Sequence, residues 1–120
     1  MALTPTEERN WAMGAHLGAI LAAWVAMGFL APLIVMLAAG ERSAFVRRHA
    51  VESLNFQISL LIYYAAAFVA GLLTLGIGFL IIIPVGLVAG VGALVFIVLA
   101  TVAASRGEEY RYPLTIRLVH

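Results

Sequence analysis

Polar and apolar positions fall in blocks along this chain. From Trp11 to Phe29 the residues are apolar apart from His16, a run of 19 that at ~1.5 Å per residue crosses a hydrocarbon core of ~30 Å. Thr4, Pro5 and Glu7 stand just ahead of it as a capping box with proline at the first helical position, so the helix starts before the bilayer does. Gly28 and Pro32 break the run, and Leu33 to Ala39 covers only about a third of a bilayer by the same rise. Two drawings fit: one helix kinked at Pro32, or a turn near Gly28 followed by a short second helix. Gly40 to Ser43 reads as a turn, with Ser43 the cap of a long third helix that runs to about Leu75. Gly76 and Gly78 mark a tight turn, Pro84 fits near the start of a fourth helix, and Arg106 with Gly107 ends it. Beyond that point Leu114, Ile116 and Leu118 alternate with Thr115 and Arg117, the period of extended chain. The pattern therefore predicts an all-α integral membrane protein. It is a four-helix transmembrane bundle in a single membrane domain, with helices over about 5–29, 32–39, 43–75 and 82–105 and an extended tail at 107–120.

Composition sharpens this reading. Hydrophobic residues make up 64% and charged ones 11%, against roughly 25% charged in a soluble domain, and mean hydropathy is +1.07. With 120 residues there is room for three or four spans and no soluble head. Cysteine is absent, which excludes a disulfide framework and a thiolate metal site. Every basic residue is Arg and every acidic one Glu. Arg42, Arg47 and Arg48 follow the second block, Arg106, Arg111 and Arg117 follow the last, and 71–90 carries no charge. The positive-inside rule then favours the turn over the kink. It places both termini and the Arg-rich segment on the cytoplasmic side of the inner (plasma) membrane. Tyr110, Arg111, Tyr112 and Arg117 suit the headgroup belt, so the tail is expected along the cytoplasmic face. Glu7, Glu8 and Arg9 differ from the basic start of a signal peptide, and the first helix is expected to be retained.

The third helix carries the chain's mid-sequence polarity. At ~100° per residue, Arg48, Glu52, Asn55, Ser59 and Tyr63 fall within an arc of ~80°, with His49 at its edge and Gln57 on the far side. Polar side chains at membrane depth must face protein or water, so this stripe with His16 is the candidate functional cluster. Each member also has a structural reading. His16 fits a hydrogen bond to a neighbouring helix, Glu52 a cluster with Arg47, Arg48 or His16, and Asn55 and Gln57 bridges to two other helices. Small residues form separate packing faces, Gly14 and Gly18 on the first helix and Gly86 and Gly90 on the fourth, the spacing that lets backbones approach closely in lipid.

Catalysis finds no foothold. No Ser lies in a Gly-x-Ser-x-Gly setting, no Asp exists to orient a His, and no His-Glu-x-x-His is present. His49 and Glu52 are one turn apart, but a helical di-metal site needs two such pairs and further carboxylates, so neither metal nor cofactor is expected. A net charge of +1 gives no reason to invoke nucleic acid.

Four blocks also carry a resemblance: Glu8-Arg9-Asn10-Trp11 with Ala15-His16-Leu17; Pro32-Leu33-Ile34-Val35; His49 to Gln57 with its Glu-x-Leu-Asn-Phe-Gln core; and Glu109-Tyr110-Arg111-Tyr112-Pro113-Leu114-Thr115-Ile116-Arg117. On these the chain resembles a bacterial membrane family of unknown function that is similar to the chloroplast inner-envelope import subunit Tic-twenty. The resemblance implies a four-helix membrane bundle and association with a protein-conducting translocon. Two functions compete at this point. One is a non-enzymatic scaffold or translocation-type subunit, working in the bilayer with copies of itself or another membrane protein. The other is a small channel or transporter with His16, Glu52, Asn55 and Ser59 along a hydrated path. In the first the stripe meets protein, and in the second it meets water.

Overall fold

The structure is a computed structural model that describes residues 2–22 and 30–120; the expected end of the first helix, 23–29, lies outside the described residues. Four helices follow in order: α1 (Pro5–Ala22), α2 (Leu30–Ala39), α3 (Ala44–Leu73) and α4 (Phe79–Ser105). No strand occurs among the described residues. α1 starts where its capping box dictates. The Glu7 N–H donates to Thr4 Oγ1 at 3.2 Å and the Thr4 N–H to the Glu7 carboxylate at 3.1 Å, and these bonds lower the Glu7 pKa. Ser43 caps α3 as expected, its hydroxyl accepting from the Val46 N–H at 3.2 Å.

α2 folds back against α1. A side chain at Gly18 would meet the Ala31 Cβ at 2.8 Å, a contact impossible in one kinked rod, where 13 residues of helix would hold the two ~20 Å apart. The α3–α4 turn is tighter than the sequence suggests, and α4 begins at Phe79 rather than near 82. Leu75 and Gly76 take positive φ (57° and 89°), Thr74 Oγ1 accepts from the Gly78 N–H at 2.9 Å, and the Phe79 ring lies over Gly71, where a Cβ would come within 2.3 Å of it. Pro84 therefore sits inside α4 rather than at its start, leaving the Leu80 carbonyl without its helical partner.

Two regions follow from this packing. At the charged end, Ala15, Val35, Ala39, Val46 and Ala50 from α1, α2 and α3 form one apolar cluster. Phe56, Ala93, Ile97, Ala100 and Tyr112 form a second between α3, α4 and the tail. Past Leu60 on α3 and before Ala93 on α4 the helices continue as a hairpin whose large apolar side chains are almost all exposed. α3 and α4 have 30 and 27 residues, each longer than the ~20 a span needs. Only 17% and 11% of their most apolar stretches are buried, whereas core helices of a soluble protein would be mostly buried. Both helices are long and apolar enough to cross a membrane, and past Leu60 their exposed faces are apolar.

Candidate functional site

Extended chain must place its backbone N–H and C=O groups somewhere, and among the described residues there is no sheet to take the tail. The stripe on α3 supplies the partners instead. From the charged end downward, the Arg48 guanidinium pairs with the Glu109 carboxylate, and His49 Nε2 donates to the Glu108 carbonyl at 2.8 Å. The Glu52 carboxylate accepts from the Tyr112 N–H at 2.6 Å and from the Arg117 guanidinium at 2.9 Å. Asn55 makes two bonds to one residue, its amide donating to the Val119 carbonyl at 2.9 Å and its oxygen accepting from the Val119 N–H at 2.8 Å. Ser59 accepts from the Ile116 N–H at 2.7 Å while donating to its own helix at Asn55. At the bottom Tyr63 donates to the Leu114 carbonyl at 2.6 Å.

These pairings give the tail its path, which differs from a segment laid flat on the cytoplasmic face. Glu108 lies opposite His49, Leu114 opposite Tyr63, and His120 accepts from Arg47 at 2.9 Å. Fourteen residues of helix separate His49 from Tyr63, ~21 Å, and six residues of extended chain reach ~20 Å. The tail thus descends α3 almost fully stretched, turns at Pro113 and Leu114, where Leu114 has φ 56°, and climbs back. It is a hairpin of main chain held along α3 by helix side chains.

Tyr112 joins this seam to α1. Its ring is 2% exposed and stacks on Phe56 at 4.0 Å and 13°, and its hydroxyl lies 2.6 Å from His16 Nδ1. His16 Nε2 in turn lies 2.9 Å from His49 Nδ1. The Glu108 carbonyl only accepts, so His49 must carry its proton on Nε2; with both rings neutral, His16 Nε2 donates to His49 Nδ1 and Tyr112 donates to His16 Nδ1. A tyrosine hydroxyl is protonated, and so a donor, at neutral pH in any case; burial, then the nearby Tyr110 phenol and Glu52 carboxylate, raise the Tyr112 pKa further. One chain of donors therefore runs from the tail through α1 and α3 and back to the tail. No buried side-chain nitrogen or oxygen lacks a partner among the described residues.

The expected cluster is thus largely brought together, with different partners. Glu52 pairs with Arg117 of the tail, not with Arg47, Arg48 or His16; Asn55 bonds the tail, not another helix. Gln57 is half-buried and outside the seam. Of the packing glycines, Gly18 meets α2, while Gly14 faces open space. Gly86 and Gly90 face the Tyr64 side chain, each 3.4 Å from where a Cβ would stand, and Tyr64 donates to the Gly86 carbonyl at 2.7 Å; an aromatic ring, rather than close backbones, fills that space. Tyr110 packs edge-on to Tyr112, and Arg111 is exposed. Sequence reading missed Ser53, which donates to the Ala15 carbonyl at 2.8 Å, and the Ser43–Glu8 contact. The signal for the seam was present: an extended tail without a strand to pair with, and a polar stripe without a helix assigned to it. Among the described residues no group of three or more metal-ligating side chains gathers.

Residues 7–119 match the MamF/MmsF family. The chain belongs to the magnetosome magnetite crystal formation family. This replaces the Tic-twenty-like assignment drawn from the Leu-Asn-Phe-Gln and Tyr-Arg-Tyr-Pro blocks, and with it the translocon association. Within those blocks Asn55 and Tyr112 belong to the seam between α3 and the tail, whereas Gln57 and Arg111 do not. No curated protein and no solved structure matches the chain. The family is one of magnetosome membrane proteins, and the two long apolar helices agree with a membrane protein.

Proposed function

We propose that this protein is a non-enzymatic scaffold of the magnetosome membrane that influences magnetite crystal formation from the cytoplasmic face. It is a four-pass bundle with both termini and the Arg-rich end on that face, as the positive-inside rule prefers. The chief support is the state of the polar stripe: its buried groups are all engaged, chiefly with the tail, and among the described residues none is left without a partner. A conduit along α3 would need the tail out of the seam.

The distribution of charge supports the choice of face. All seven Arg and six Glu belong to segments at one end of the bundle, where Ser43 meets Glu8 and Arg48 meets Glu109. The opposite turn, 74–78, offers one hydroxyl, on Thr74. Iron cations favour oxygen, nitrogen or thiolate donors, and an uncharged apolar turn holds neither cations nor a mineral surface. Any influence on the crystal therefore passes through the charged face or through the bilayer, with another membrane protein or a second copy meeting the exposed hairpin.

The test uses the absence of cysteine. In intact magnetosomes, whose outer surface is cytoplasmic, Ala2→Cys should react with a membrane-impermeant maleimide and Ile77→Cys should react only after detergent. The reverse pattern would put the carboxylates on the mineral side and overturn the reading. In a deletion strain, Glu52→Leu should fail to restore crystal size measured by electron microscopy. Proteoliposomes of the parent protein should pass no more protons or iron than empty vesicles, and flux above that level would favour a conduit.

A further inference from the structure

Beside the seam, at the level of the first turns of α3, lies a concavity of ≈650 Å³ between α3 and the returning tail. Four guanidinium groups line it, from Arg47, Arg48, Arg111 and Arg117, together with Glu52 and Glu109. The two carboxylates are engaged by Arg117 and Arg48, so its side chains carry two positive charges in excess, on Arg47 and Arg111.

The geometry points to this concavity as a binding site for a phosphate-bearing anion, supplied by the headgroup of an anionic phospholipid. Three of the four forks are held in place before any ligand arrives. Arg117 is fixed by Glu52, by the Thr115 carbonyl at 2.7 Å and by the Tyr112 carbonyl at 3.3 Å. Arg47 is held by the His120 main-chain oxygen and Arg48 by Glu109. A guanidinium held in place loses little freedom on binding a phosphate, which it meets through the N–H groups its present partners leave free. Arg111 is exposed and makes no hydrogen bond or ion pair among the described residues, so it is available to close over the anion.

Lipid is favoured over free phosphate by the rest of the lining. Val51 and Val119 give the concavity apolar wall, and farther along α3 the exposed surface turns apolar at Leu61 and stays so to Leu73. A headgroup anchored among the Arg residues therefore has an apolar surface for its chains to follow, and basic pockets at the membrane surface hold anionic headgroups in this way. The site needs only that the charged end lies at a membrane surface, so it stands whichever side that surface faces.

Native mass spectrometry of the purified protein in neutral detergent, with phosphatidylglycerol and phosphatidylcholine offered in equal amounts, tests this. The parent should retain phosphatidylglycerol about tenfold better. The Arg47→Gln/Arg111→Gln double variant should fall to the phosphatidylcholine level with its melting temperature lowered only slightly, because the one bond it loses, Arg47 to the His120 oxygen, is exposed. Excess inorganic phosphate should not displace the lipid; if it does, and itself raises the melting temperature of the parent but not of the variant, the site belongs to a free anion. Equal retention of the two lipids by the parent, or an undiminished preference in the double variant, overturns the proposal. Should the double variant fail to fold, Arg111→Gln alone, which breaks no contact, gives the same reading with a smaller loss.

Discussion

The two ends of this protein are built on opposite terms. At the charged end polar groups are interlocked, with His16, His49, Glu52, Asn55, Ser59 and Tyr112 each buried and each bonded. Past Leu60 the α3–α4 hairpin has almost no buried side chain, and Tyr64 is the residue that ties one helix to the other by a hydrogen bond. The contrast follows from the solvent each end meets. Lipid gives no hydrophobic drive for apolar helices to close on one another, whereas an extended tail cannot enter the membrane unless its backbone is satisfied from within. Order is concentrated where unmet hydrogen bonds would be most costly.

If so, substitutions in the seam should far outweigh those in the hairpin. Tyr112→Ala should have the largest effect, since it removes the Phe56 stack and leaves His16 Nδ1 unmatched. A loss of ~3–5 kcal/mol, read as thermal or denaturant unfolding in detergent, is the size expected for deleting a buried aromatic residue. Glu52→Leu comes next, because it strands Arg117 and the Tyr112 N–H together. Breaking a mostly buried pair from one side costs ~3–5 kcal/mol, less here because Arg117 is 29% exposed. Glu52→Gln keeps an acceptor for the N–H and should lose clearly less. Equal losses for Gln and Leu would mean that charge, not the backbone bond, is what Glu52 contributes.

Asn55→Ala should cost ~1–3 kcal/mol by unpairing both polar groups of Val119. Its signature should be local, with faster amide hydrogen exchange at 116–120 than in α1. Exchange raised uniformly along the chain would show that the tail is not a separable element. Gly90→Leu should act through Tyr64, pushing its hydroxyl from the Gly86 carbonyl, and lose about 1 kcal/mol; a loss as large as that of Tyr112→Ala would show the hairpin to be as tightly built as the seam. Leu80→Ala, at a side chain 78% exposed, should change stability by at most ~0.5 kcal/mol. A larger loss would reveal a partner covering the hairpin.

Much of the fold was legible in the residues themselves. Helix starts at Thr4–Glu7 and Ser43 are local chemistry, as are the lengths of the apolar blocks, and neither needs knowledge of the rest of the chain. The stripe on α3 was legible as well, because helical period alone puts Glu52, Asn55 and Ser59 on one face. Its purpose was not. Asn55 and Val119 lie 64 residues apart, and nothing local to either marks the other as its partner. The α4 start was misplaced for a similar reason: Pro84 suggests an N-terminus by its own preference, while the turn is set by Phe79 closing over Gly71, a contact between helices. Short motifs also misdirected the family assignment: the Leu-Asn-Phe-Gln and Tyr-Arg-Tyr-Pro blocks are four residues each, while the family match rests on residues 7–119. What the sequence determined alone was whatever depends on neighbours within a few turns: the long apolar helices, the caps, the separation of charged from apolar segments and the extended tail. Tertiary structure decided which groups answer one another, turning a stripe that could have faced water into the surface that holds the tail, because a buried hydrogen bond is defined by both of its ends.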